Sequence, residues 1–197
     1  MSDVLNAIVD SAERRIRAGG FSGFSFREVA ADVGVKSSSV HYYFPTKEAL
    51  AAAVIHRYTD FVSELIDKQL ESDPDPIKVW TKAFRGTLHS DVRMCPATVM
   101  GAAAGDLPTE VATEVERFFR MCLDKLAKEG LSSKEAAEFL ATITGALVVA
   151  NAIDDKALYD RATTERLKAS AAAKRGLPRA NVDARKSAAR GPRRAAS

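Results

Sequence analysis

Phe26-Arg27-Glu28-Val29-Ala30-Ala31-Asp32-Val33-Gly34-Val35-Lys36-Ser37-Ser38-Ser39-Val40-His41-Tyr42-Tyr43-Phe44 reads as two short helices joined by a turn at Gly34. Ser25, followed three residues later by Glu28, has the capping-box spacing that satisfies orphan amide donors and starts the first helix. Val29 and Val33 share a face with Phe26 and Ala30, so this helix packs inward. Gly34 supplies the positive φ that a tight turn needs. Ser37 or Ser38 is the expected cap of the second helix. Val40 and Phe44 then point to the core, while Ser39, His41, Tyr42 and Tyr43 point away. An outward face of small donors and polar rings suits a groove lined with phosphates and base edges.

Working outward, the pair is followed by Phe44-Pro45-Thr46-Lys47-Glu48-Ala49-Leu50. With this extension, residues 5–54 resemble the N-terminal DNA-binding domain of TetR-type transcriptional regulators. The resemblance implies that Lys36, Ser37, Ser39, His41, Tyr42, Tyr43 and Lys47 contact DNA. His41 stands where a tyrosine is usual and Tyr43 where a histidine is frequent, so operator preference is not transferable from a relative. The resemblance also implies a two-domain, all-α homodimer that represses transcription from a palindromic operator and is released by a small-molecule inducer. The readings set against it are a cysteine-based electrophile or oxidant sensor of the same fold, and a helical sensor or interaction protein that does not use its helix-turn-helix.

Helical periodicity continues to about residue 170, without a strand pattern, and divides the chain into about nine helices. Leu5, Ile8, Ala12 and Ile16 form the first stripe; Thr46 caps a long helix carrying Leu50, Val54, Tyr58, Phe61 and Leu65; Ser132 and Glu135 form a second capping box. The expected organisation is a helix-turn-helix domain at 1–52, a ligand-binding and dimerisation domain at 53–168, and a basic, disordered tail at 169–197. The tail lacks large apolar side chains to offset the entropy of ordering it. The formal charge of +3 hides this asymmetry: from Arg166 onward there are ten Lys or Arg against Asp183, leaving residues 1–165 at a net −6.

Residues 139–153 form the longest uncharged run. At 15 residues they fall short of the roughly 20 that a membrane span needs, so they read as a helix buried in protein and, with the final helix, as the dimer interface. Two cysteines make no disulfide framework, and the absence of a secretory pattern points to the cytoplasm. The three histidines have no metal-ligand spacing and no phosphate loop is present, so no metal, cofactor or enzymatic activity is expected.

An effector site between helices should be mainly apolar. Its candidates are Trp80, Phe84, His89, Met94, Cys95, Met100, Phe118, Phe119 and Cys122, each of which also reads as ordinary core. Cys95 has two readings. At a helix N-terminus beside Arg93 its thiol pKa would fall, favouring the reactive thiolate, and the stretch from Met94-Cys95-Pro96 to Gly105-Asp106-Leu107-Pro108 resembles the electrophile-responsive subset of the family. Alternatively it is an inert buried thiol.

Overall fold

The computed structural model describes residues 3–88 and 94–176. Among them are nine α-helices: α1 (Asp3–Gly19), α2 (Phe26–Val33), α3 (Ser37–Tyr43), α4 (Lys47–Ser72), α5 (Pro76–Gly86), α6 (Pro96–Gly101), α7 (Thr109–Lys128), α8 (Ser133–Ala152) and α9 (Lys156–Gly176). Short 3-10 turns lie at Phe21–Gly23 and Ala104–Asp106. The protein is all-α, as the periodicity requires.

The reading head is α1 to α3. Ile8, Ala12 and Ile16 of α1 meet Phe26, Val29 and Ala30 of α2 and Val40 of α3 in a closed core. An ion-pair seam runs along its edge: Asp32 accepts from Ser11 Oγ at 2.6 Å and from Arg15 Nε at 2.7 Å, and Arg15 also reaches Glu28 at 3.2 Å. Arg15 and Ser11 together hold the Asp32 carboxyl well below the usual carboxylate range. Helix α4 carries the chain out of this head without a break at the expected 52/53 boundary. Its apolar face, Leu50, Val54, Ile55, Tyr58, Val62 and Ile66, serves both units.

In the body α7 lies along α4, tied by the ion pairs Lys125–Asp67 and Arg117–Asp60. Helices α8 and α9 pack together and close over α5, where Tyr159 Oη donates to the Thr81 carbonyl at 3.1 Å and Arg85 pairs with Asp160. Alone among the described helices, α8 has the length and hydropathy of a membrane span. Its Ala136, Phe139, Leu140, Ile143, Leu147 and Ala150 are buried in the body.

Two expectations need correction. No serine caps α3: Lys36 is the N-cap and makes no side-chain cap bond, the first turn closing instead through Ser39 N–H to the Lys36 carbonyl at 2.9 Å. The expected tail is helical in its first part, since α9 runs through Gly176. Residues 169–176 include four alanines, one lysine and one arginine, which have high intrinsic helix propensity. The rest of the expected tail, together with His89 and Arg93, lies outside the described residues.

Candidate nucleic-acid interface and effector cavity

The turn between α2 and α3 sets the aim of the recognition helix. Gly34 adopts φ 74°, and Val35 N–H donates to the Ala30 carbonyl at 3.0 Å, the six-to-one bond of a Schellman ending. Ser25 Oγ accepts from Glu28 N–H at 3.3 Å and donates to its carboxylate at 2.7 Å, so both ends of α2 are held. Val40 then anchors α3 in the core, and the opposite face meets solvent.

That face carries most of the expected DNA-contacting set. Tyr42 is 83% exposed; Lys36 and His41 are exposed; Ser37 and Ser39 are half-buried at the helix margin. The His41 ring lies edge-on to Phe26 at 4.6 Å, which orients the imidazole without hiding it. Tyr43 departs from the expectation that it points away. Its ring is half-buried against the core and meets Tyr42 edge-on at 5.1 Å, because position 43 turns back toward α1 and α4. Lys47 begins α4 with its Nζ 4.6 Å from the Phe21 ring centroid and 4.9 Å from that of Phe24. These cation–π contacts fix the ammonium beside the end of α3.

In the body, Tyr58, Phe61, Val62 and Leu65 of α4, Ala83, Phe84 and Gly86 of α5, Thr87 and Arg17 of α1 line a half-open cavity of about 230 Å³, with the exposed Phe61 at its edge. Of the expected ligand set Phe84 lines it. Trp80, Met94, Cys95, Met100, Phe118 and Cys122 are buried core residues outside this lining, and Phe119 is half-buried against Gly101. Arg17, Tyr58 and Phe61 were not among the candidates. Nothing local in α1 tells that Arg17 faces the body; the contact arises from how α1 crosses α4.

Cys95 is the N-cap residue of α6, with Pro96 in the first turn as expected, but it is 1% exposed. Burial pushes its thiol pKa up, which favours the inert buried reading over the reactive one. A helix of six residues supplies too little field to offset the loss of water. Cys122 is pushed up by burial as well, and so is the Tyr58 phenol, to which Cys95 adds.

Residues 8–54 match the family model of the bacterial regulatory proteins of the tetR family. No curated protein matches the sequence significantly. Among solved structures, a TetR-family transcriptional regulator from Agrobacterium tumefaciens superposes with a TM-score of 0.79 at 24% identity, covering 84% of this chain and 96% of that one. A TetR regulator from Legionella pneumophila gives 0.76 at 23% identity, over 83% and 95%. FadR from Bacillus subtilis, in complex with stearoyl-CoA, gives 0.65 at 15% identity, over 81% and 96%. Residues 8–54 thus form a tetR-type helix-turn-helix, DNA-binding domain, and the described helices continue it in the fold that the TetR-family regulators share.

Proposed function

We propose that the protein is a cytoplasmic, ligand-responsive repressor that binds a palindromic operator as a homodimer and leaves it when a small organic molecule fills the cavity beside Tyr58. The observation that carries this reading is that Arg17, a residue of the reading head, is part of the cavity wall. Occupancy of the body is thereby sensed by α1. Release follows if the ligand favours a dimer whose two heads no longer match half-sites about 34–36 Å apart, and affinity shifts only by the ligand's preference between the two states.

For the dimer, the supporting feature is the solvent side of α8. Ala137, Ala141, Gly145, Val148, Val149, Ala152 and Ile153 are exposed at helical spacing, an apolar stripe with small residues that permits close helix approach. Reversible occupancy is preferred to thiol chemistry because Cys95 is buried with a raised pKa.

The test is operator selection followed by binding across a salt series. Tyr42→Phe and Lys47→Ala should weaken binding through phosphate contacts, with Lys47→Ala lowering the salt slope by about one. Ser39 and His41 substitutions should change base preference. Silence of all four changes in folded protein would refute the assignment. Cys95→Ser should leave the effector response intact.

A further inference from the structure

Among the described residues one charged side chain stands on the wall of the cavity, and it is Arg17. A guanidinium has five N–H donors. Nε and Nη2 donate to Glu13 Oε1 at 3.0 and 2.8 Å, and Nη1 donates to the Met94 carbonyl at 2.9 Å. One donor on each terminal nitrogen is left without an acceptor among the described residues. The side chain is only 14% exposed and its guanidinium lies 5.1 Å over the Tyr58 ring, so solvent serves these donors poorly. Glu13 does not cancel the charge by itself, because its other oxygen accepts from Arg57 at 3.1 Å and the carboxylate is shared by two arginines. The remaining wall is chiefly apolar, with Phe61, Val62, Leu65, Ala83 and Phe84 facing the space.

We propose that the cavity is a site for a small organic acid, its apolar body against Phe61 and Phe84 and its carboxylate on the two free donors of Arg17. This rests on the ligand-responsive reading above and names the class of ligand. Charge decides against a cation, which would meet Arg17 at close range. It decides against a neutral head group more gently, since a carboxylate forms charge-assisted bonds about twice as strong. The volume of about 230 Å³ matches the body of a small acid. The acid also gains a lever. Arg17 tethers α1 to the Met94 carbonyl at the head of α6, where Met94 itself holds a positive φ of 98°, a backbone geometry that a non-glycine residue keeps only under constraint. A carboxylate that draws the guanidinium toward the cavity loosens that tether.

The experiment uses the full chain with phenylbutyrate and octanoate, each against its primary amide, at neutral pH. Binding is read from Trp80, the single tryptophan, which is buried with its ring 6.1 Å from that of Phe84. The acids should bind at least about tenfold more tightly than the amides, the size of a charge-assisted contact. Arg17→Gln should erase this preference while the amides bind as before, and Arg17→Lys should keep part of it. Equal binding of acid and amide by the parent, a preference that survives in Arg17→Gln, or no binding of either acid at millimolar concentration would overturn the proposal. Operator binding on the same samples separates the two readings. Specific operator binding without acid binding refutes the ligand class alone, whereas Arg17-dependent acid binding without operator release supports the site and refutes release as its consequence.

Discussion

Asp32 shows how single residues hold the reading head in register. Its carboxylate joins α2 to α1 through Ser11 and Arg15, and its folded pKa lies below the ordinary value of 3.8 because of those hydrogen bonds. A depressed pKa means stability that is present above the unfolded value and lost as pH falls through the folded one. Asp32→Asn should therefore destabilise the head by about 1 kcal/mol at neutral pH, a modest figure because the pair is partly screened by solvent. Thermal unfolding should show parent and variant converging as pH drops below 3.8. A constant difference from pH 7 to below that value would show that the loss is steric rather than electrostatic. Arg17 works on the same scale but across units, since one side chain touches Glu13, Met94 and Tyr58.

At the scale of elements, helix ends do much of the positioning. Gly34 and Gly130, with φ of 74° and 97°, end α2 and α7 in the same way: Val35 N–H returns to Ala30, and Leu131 N–H to Leu126 at 3.2 Å. Gly34→Ala should cost about 1 kcal/mol, the penalty of a Cβ in left-handed backbone. It should also weaken operator affinity, because α3 takes its direction from this turn, and melting with binding assays would show both. The start of α8 is held by a reciprocal capping box, with Ser132 N–H donating to Glu135 Oε2 at 2.9 Å and Glu135 N–H to Ser132 Oγ at 3.3 Å. Ser132→Ala should cost about 1 kcal/mol by calorimetry, with no change in operator sequence preference.

For the whole molecule, the proposed dimer and the basic C-terminal sequence make separate predictions. Placing lysines at Val149 and Ile153, which are 47% and 60% exposed, should cost the isolated fold little and disrupt association. Sedimentation should then give monomers, with operator binding lost; an unchanged dimer would place the interface elsewhere. Residues 177–197 hold six Lys or Arg and one acid, while residues 1–165 are net acidic. We propose that this segment adds sequence-independent attraction to DNA, since its net positive charge raises the encounter rate with a phosphate backbone. Truncation after Gly176 should lower non-specific affinity at low salt and leave operator sequence preference unchanged. The cut is placed there because α9 is helical to that residue.

The sequence by itself determined the helices and the identity of the reading head. Periodic apolar residues, Gly34, the Ser25–Glu28 cap and the Phe44-Pro45-Thr46-Lys47 extension act over a few residues, and such local physics is written directly in the order of the chain. Packing decided what local order leaves open. Tyr43 turned inward because α1 and α4 converge on it, the core around Cys95 favours its inert reading over its reactive one, and most of the apolar ligand candidates are core rather than wall. The cavity joins residues separated by some seventy positions, from Arg17 to Thr87, so no spacing rule could anticipate it. Burial and the meeting of distant side chains depend on how helices cross, and that is set by the sum of all their faces.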